Sequence, residues 1–193
     1  HALPHDLQKN IIKKAKDMKE NFYFWEENFD ISAKSKEEGF SAVLGYLIFD
    51  AHQHYKMKDL IARFVRRDFD INFFLSAENH NTPRSFSRIN NIDYLKSIYA
   101  FTLFLPALTF IHSGFELAES QPVNTGLDFT NDEIEKYPAQ KLGLFSYTTL
   151  NWDNENEITN FIRKINDIKS QVIQDKDDIK ENDIVSLDCN NDN

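Results

Sequence analysis

The segment Ser76-Ala77-Glu78-Asn79-His80-Asn81-Thr82-Pro83-Arg84 concentrates polar chemistry directly after the apolar run Ile71–Leu75. An extended segment therefore ends in a carboxylate, two amides flanking an imidazole, and a guanidinium. His80 and Arg84 can both donate to hydroxyl groups or to a carboxylate. The same residues also read as a turn, because Asn and Pro are turn formers. A second apolar run, Phe22-Tyr23-Phe24-Trp25, leads into Glu26-Glu27-Asn28. A carboxyl group beside apolar walls has its charged form destabilised, which suits a general acid. Glu26 and Glu27 read equally as a solvated pair at a strand end. A third run, Leu108–Ile111, enters His112-Ser113-Gly114-Phe115-Glu116. Gly114 there permits a positive φ or a close backbone approach, or forms an ordinary turn.

Other chemistries lack their signatures. His52 and His54 are two residues apart and would not share a helix face. The 6 His and 1 Cys show no zinc spacing, and there is no GxGxxG, P-loop or GxSxG motif. No metal or cofactor is expected. The net charge of -9 and pI near 5.1 come without a basic stripe, which argues against a nucleic-acid partner and for a solvated acidic surface. Cys189 lies in a polar tail, so no intrachain disulfide can form and the cytoplasm is slightly favoured. No run approaches the roughly 20 apolar residues of a membrane span. The densest apolar segment, Ile98–Ile111, contains Pro106 and reads as core. No signal peptide is visible, although the sequence starts at His1 and leaves the N-terminus open.

The elements that would position these residues alternate in type. The 193 residues, 41% hydrophobic and 13% aromatic with 17 Phe, suit one domain with a substantial core. Pro4 opens a helix in which Leu7, Ile11, Ala15 and Met18 recur at helical spacing. Strands are expected at Phe22–Trp25, Ser41–Tyr46, Ile71–Leu75 and Leu108–Ile111. Ile31–Gly39 reads as a loop with a short helix. Met57, Leu60, Ile61, Phe64 and Val65 mark an amphipathic helix. Ile92–Leu105 reads as a mostly buried helix stopped by Pro106, and Ile158, Phe161, Ile162, Ile165, Ile168 and Val172 mark a last one. The long loop from Glu116 to about Asn154 is expected to be functional or to carry short helices. Strands alternating with helices, without strict polar alternation, imply an α/β fold with a parallel sheet. The domain is expected over 1–175, followed by a polar, loosely ordered tail over 176–193.

In order and spacing these motifs resemble the second half of the catalytic barrel of the alpha-amylase superfamily of glycoside hydrolases. Trp25-Glu26-Glu27-Asn28 resembles the motif after the fifth barrel strand, and Glu78–Arg84 the seventh-strand motif. Phe110–Glu116 resembles the end of the eighth strand, and His1-Ala2-Leu3-Pro4 the tail of the fourth-strand motif. The resemblance covers roughly residues 1–173. It implies half of a (β/α)8 TIM-type barrel, strands five to eight with their helices, from an alpha-glucan-active protein.

Residue by residue, the resemblance implies Glu26 as acid/base, with Glu27 as alternate because the motif can slide by one. It implies His80, Arg84, Glu116 and His1 as substrate-binding or supporting residues. Asn81 stands where the family has a transition-state-stabilising aspartate, and the nucleophilic aspartate is expected upstream of His1. The isolated chain is therefore expected to be inactive. The implied partners are an alpha-glucan or oligosaccharide, and either the N-terminal half of the barrel or a second copy. The alternative is a non-catalytic carbohydrate-binding or regulatory relative with a degenerate site. Hydrolase and transferase remain equally open.

Overall fold

A computed structural model describes residues 3–28, 31–44, 54–66, 68–127, 129–144, 150–154 and 156–173. The expectations for His1, His52, Cys189 and the tail 176–193 lie outside the described residues. Along the chain the elements are α1 (His5–Met18), β1 (Trp25–Glu27), α2 (Ala33–Glu37), β2 (Ala42–Leu44), α3 (His54–Arg66) and β3 (Asn72–Leu75). There follow α4 (Ser85–Ile89), α5 (Ile92–Phe104), β4 (Leu108–Thr109), a 3-10 turn (Phe115–Leu117), α6 (Asn131–Lys136), a second 3-10 turn (Ala139–Lys141) and α7 (Glu157–Val172).

The four strands form one parallel sheet in the order β1-β2-β3-β4, each beside its neighbour in sequence. Parallel neighbours need a crossover, and crossovers of one hand that keep stepping in one direction carry their helices to the same face of the sheet. Among the described strands the order does not reverse, so they form no switch point of the doubly wound kind. The register places Glu26 beside Val43 and Val43 beside Phe73, so these three share a face. That face is the core side. Phe73 packs on Phe69 and Phe64, and Val43 and Leu75 are fully buried.

The opposite face carries Trp25, Glu27, Leu44, Phe74 and Leu108. Trp25 is 58% exposed and Leu108 37%, and a T-shaped contact joins Trp25 to Phe74. A second edge-on contact joins Phe74 to Phe110. Parallel sheets are ordinarily covered on both faces. Here one face is packed with helices and the other shows an aromatic row to solvent.

The strands are shorter than the apolar runs suggest. β1 begins at Trp25, and Phe22 and Tyr23 are exposed ahead of it. Aromatic residues favour strands only where a neighbour packs on them. The sole described ladder partner of β1 is β2, which Phe24 meets through its carbonyl, accepting from Ser41 N at 2.8 Å. The ladder of β4 ends at Thr109, one further bond running from Phe110 N to Leu75 O. For β2 the residues Gly45 and Tyr46 lie outside the described ones.

The helices follow their signals more closely. α5 starts where the Asn91 side chain accepts from Asp93 N and Tyr94 N, and ends at Leu105, which is extended before Pro106. The long loop carries α6, opened by a Thr130–Glu133 capping box. α4, directly after Arg84, has no periodic signal in its five residues. α1 forms as expected, but its inward line is shifted to one side of the apolar stripe. Ile12 is buried, whereas Leu7, Ile11 and Met18 are exposed. Glu38, 5% exposed, anchors this helix to the end of α2, accepting from Gln8 Nε2 at 3.1 Å and pairing with His5 Nδ1 at 2.8 Å.

The core lies between the sheet and α3, α5 and α7, centred on Leu95, Ile98, Tyr99 and Leu103 of α5. Tyr99 OH accepts from Asn166 Nδ2 of α7 at 2.8 Å, and burial pushes its phenol above the ordinary range despite that bond. Leu95 is 0% exposed. Leu95→Ala should lower the unfolding free energy by about 3 kcal/mol, the usual cost of a buried leucine cavity. Met18→Ala, at an 89% exposed position, should change it by less than about 0.5 kcal/mol. Urea denaturation of both variants checks the difference.

Candidate functional site at the strand carboxyl ends

The residues after β3 fold into a self-bonded turn. Ser76 Oγ donates to Glu78 O at 2.7 Å, Asn79 N to Thr82 Oγ1 at 3.0 Å, and Asn81 N to Asn79 Oδ1 at 2.8 Å. This is the Asx-type bonding that favours Asn in turns. It spends Asn79 on the backbone and leaves His80 and Asn81 at the surface of the turn.

Beneath the turn lies a buried ion pair. Arg84 and Glu78 have side chains 2% and 1% exposed, with Nη1 to Oε1 at 2.6 Å. Glu78 Oε2 accepts from Ser85 N at 2.7 Å, which holds the first turn of α4. Arg84 Nη1 also lies 2.8 Å from His112 Nδ1 and 2.9 Å from Ser113 O, and Nε donates to Gln121 O at 3.0 Å. One guanidinium therefore joins the ends of β3 and β4 to the segment beyond. The ordering of several acceptors around one fork is what Arg supplies and Lys does not. Gly114, at φ 102, is required here, since a Cβ would lie 3.1 Å from Arg84 Nη2.

Above the pair runs an open row of polar groups. Glu27 Oε1 is 3.1 Å from His80 Nε2, their side chains 51% and 45% exposed. Asn81 Nδ2 lies 3.1 Å from the same Nε2. Asn124 Nδ2 donates to Asn81 Oδ1 at 2.9 Å, and Leu127 N donates to Asn81 O at 2.6 Å. The carboxyl ends of β1 and β3 thus contribute to one cluster, with a piece of the long loop against it.

The structure separates the two glutamates. Glu26 occupies the middle of β1, is 7% exposed, and shares the helix-packed face with Val43. Its Oε1 accepts from Asn28 Nδ2 at 3.3 Å. Glu27, one residue on, faces the other way and meets His80. Side chains in a strand alternate, so only one of the pair can reach a given face.

Arg84 lies below the cluster rather than in it. Glu116 accepts from Gly114 N through Oε2 at 3.0 Å, and its carbonyl receives Thr159 Oγ1 at 2.8 Å and Asn156 Nδ2 at 3.3 Å, docking the start of α7. His1 lies outside the described residues. Sequence reasoning did not single out His112 or Asn124 as partners, and it named Glu78 only within a motif. Its spacing from Arg84 across a turn containing Pro83 was the available signal.

Among the described residues no group of three or more His, Cys, Asp or Glu is arranged to hold a metal ion, and no helix is long and apolar enough to cross a membrane. A groove of about 430 Å3 lined by Asn166, Lys169, Ser170 and Ile173 runs along α7, apart from the cluster. Burial there lowers the Lys169 ammonium pKa.

Solved structures of alpha-amylases share this fold. The Anoxybacillus alpha-amylase superposes with a TM-score of 0.65 at 16% identity, covering 88% of this chain and 38% of that one. The Geobacillus thermoleovorans alpha-amylase, solved in complex with acarbose, gives 0.63 at 16% identity with the same coverages, 88% and 38%. A noncanonic maltogenic alpha-amylase from Thermotoga neapolitana gives 0.60 at 19% identity, with 89% and 38% covered. The chain thus spans well under half the length of the amylases it matches. No family profile and no curated protein sequence matches it.

The buried pair makes a direct test of what supports the cluster. Removing one charge from a buried ion pair leaves the other uncompensated, at about 3–5 kcal/mol. Glu78→Gln should destabilise the fold by that amount. A loss below about 1 kcal/mol in chemical denaturation would mean that Arg84 finds its stability from the His112, Ser113 and Gln121 contacts alone.

Proposed function

We propose that this chain is the strand-five-to-eight half of a (β/α)8 barrel belonging to an alpha-glucan-active protein of the alpha-amylase superfamily. The observation that carries the reading is the meeting of Glu27, His80 and Asn81 at the carboxyl ends of a singly wound parallel sheet. In barrels of this kind chemistry is sited at those ends. The likeness to alpha-amylases supports the same reading, as does that to a substituted AmyP solved in complex with maltotriose, at a TM-score of 0.57 and 8% identity.

In this reading Glu27, not Glu26, is the acid/base, because it stands on the open face within reach of a substrate. His80 hydrogen-bonds a sugar hydroxyl in the cleavage subsite. Arg84 and Glu116 act through the loops they hold. Retaining cleavage needs a second carboxylate about 5–5.5 Å from the first, as nucleophile. In this reading that nucleophile is contributed by another part of the parent polypeptide. A carboxylate at position 81 would help to hold the developing oxocarbenium ion; the Asn81 amide carries no such charge. That difference favours a second reading, a non-catalytic alpha-glucan-binding relative.

Assay of the parent polypeptide on maltooligosaccharides separates the two. If it turns over, Glu27→Gln should lower kcat by about 100- to 10,000-fold, the range for a lost acid/base, whereas Glu26→Gln should act on stability. Asn81→Asp should raise kcat. The position accommodates a carboxylate, since Asn124 Nδ2 already donates to Oδ1. A brisk parent that is slowed by Asn81→Asp would remove the stabiliser role. Binding of maltooligosaccharide without release of reducing ends would favour the second reading.

The uncovered surfaces fit the same reading. The solvent-facing row of Trp25, Phe74 and Phe110, the outer edges of β1 and β4, and the exposed Leu7, Ile11 and Met18 of α1 are all surfaces that ring closure would bury. A half-barrel presents a sheet margin at each end, and such margins recruit partners. Their occupant in this reading is the N-terminal half of the parent barrel. The chain expressed alone should self-associate in light scattering, and co-expression with that half should give one soluble 1:1 species. A stable monomer of the chain alone, with a cooperative melt, would count against the half-barrel.

A further inference from the structure

The segment Gln121–Leu127 of the long loop is tied to the turn after β3 at three points. Arg84 Nε donates to Gln121 O at 3.0 Å, Leu127 N donates to Asn81 O at 2.6 Å, and the side-chain amides of Asn124 and Asn81 meet at 2.9 Å. Leu144 N holds the segment from behind, donating to Val123 O at 3.0 Å. Gly126 allows the close approach. A Cβ there would lie 3.0 Å from Asn81 Oδ1 and 3.2 Å from Asn124 Nδ2, tighter than ordinary contact. Space, rather than a positive φ, is the constraint at this glycine. Asn81 is fixed from its own side too, its N–H donating to Asn79 Oδ1 at 2.8 Å. Both amides therefore spring from anchored stretches of chain, and both residues are half-buried.

An amide carries a donor and an acceptor. When two amides share one hydrogen bond, one carbonyl and one NH2 group stay uncommitted to the pair, whichever way each amide is turned. The free end of Asn81 lies 3.1 Å from His80 Nε2, and Asn124 makes no other side-chain hydrogen bond among the described residues. A hydroxyl group both donates and accepts, so it complements such a pair. The Glu27 carboxylate beside His80 makes the same surroundings unfavourable to an anion.

We propose that Asn124 is a ligand-binding residue of this site, forming with Asn81 a two-amide edge that takes a hydroxyl of a neutral sugar. The long loop then supplies ligand contacts alongside the strand ends. The inference rests on the reading of the cluster as a glucan site and extends that site to a residue 43 positions from Asn81 in sequence.

Titration of maltotriose into the 15N-labelled parent polypeptide reads the contact directly. The Asn124 side-chain NH2 resonances should shift together with those of His80. In calorimetry, Asn124→Leu, which nearly keeps the volume and removes the amide, should weaken maltotriose binding by about 3- to 10-fold, the usual contribution of one neutral hydrogen bond. Because the amides act as a unit, Asn81→Leu and Asn124→Leu combined should weaken it by less than the product of the single effects. Gln121→Ala removes the side-chain bond to Lys141 O without touching either amide, and should leave the affinity unchanged. Three results would overturn the role of Asn124 and leave the glucan site standing: shifts at His80 with none at Asn124, independent effects of the two leucine variants, or a Gln121→Ala loss as large as that of Asn124→Leu. A wild type that binds no maltotriose would remove the glucan site, and this inference with it.

Discussion

A carboxylate and a guanidinium almost wholly withdrawn from water, Glu78 and Arg84, must find all of their partners inside the protein. Desolvating two charges costs several kcal/mol each, and only close geometry with further hydrogen bonds offsets it. That requirement disciplines everything around the pair. Ser85 N must present itself to Glu78, which fixes the start of α4. The Ser113 and Gln121 carbonyls must converge on Arg84, which fixes the path of the chain beyond β4. His80 and Asn81 sit on a turn between the two charged residues, so their positions follow from a contact in which neither takes part.

The second constraint is the period of a strand. Glu26 and Glu27 are chemically identical neighbours, yet one lies against the helices and the other in the open cluster. A shift of one residue in register would exchange them and bury a charge that now meets His80. The assignment rests on Val43 and Phe73, whose burial decides which face of β1 turns inward. The choice between two glutamates is thus made by apolar residues on two other strands.

Much of this was legible in the residue order. The alternation of apolar runs with amphipathic segments identified a parallel sheet, and α3, α5 and α7 stand where their periodicity put them. Local signals failed where a long-range partner decided the outcome. Phe22 and Tyr23 have strand-forming side chains but lie outside the ladder. Leu7, Ile11 and Met18 mark a helix correctly but do not reveal that its inward line would fall to one side of their stripe. Sliding the motif by one kept both glutamates in view because types and spacing alone carry no face. Asn124 could not have been found locally, since its partner Asn81 lies 43 residues away and nothing in a loop sequence encodes that meeting.

The sequential order of the sheet bears on how the chain acquires it. β2 pairs with β1, β3 with β2 and β4 with β3, so every described ladder joins a strand to the one just before it. No finished pair has to reopen to admit a later strand, as it must in sheets whose middle strand comes last. Growth is by accretion at one margin. The separation bridged by Phe74 and Leu108 is about twice that bridged by Trp25 and Ala42, which adds only about 0.6 kcal/mol of closure entropy. Later strands are therefore scarcely dearer to add than the first, and a ribosome releasing the chain from its N-terminus would deliver each strand to a margin already prepared for it.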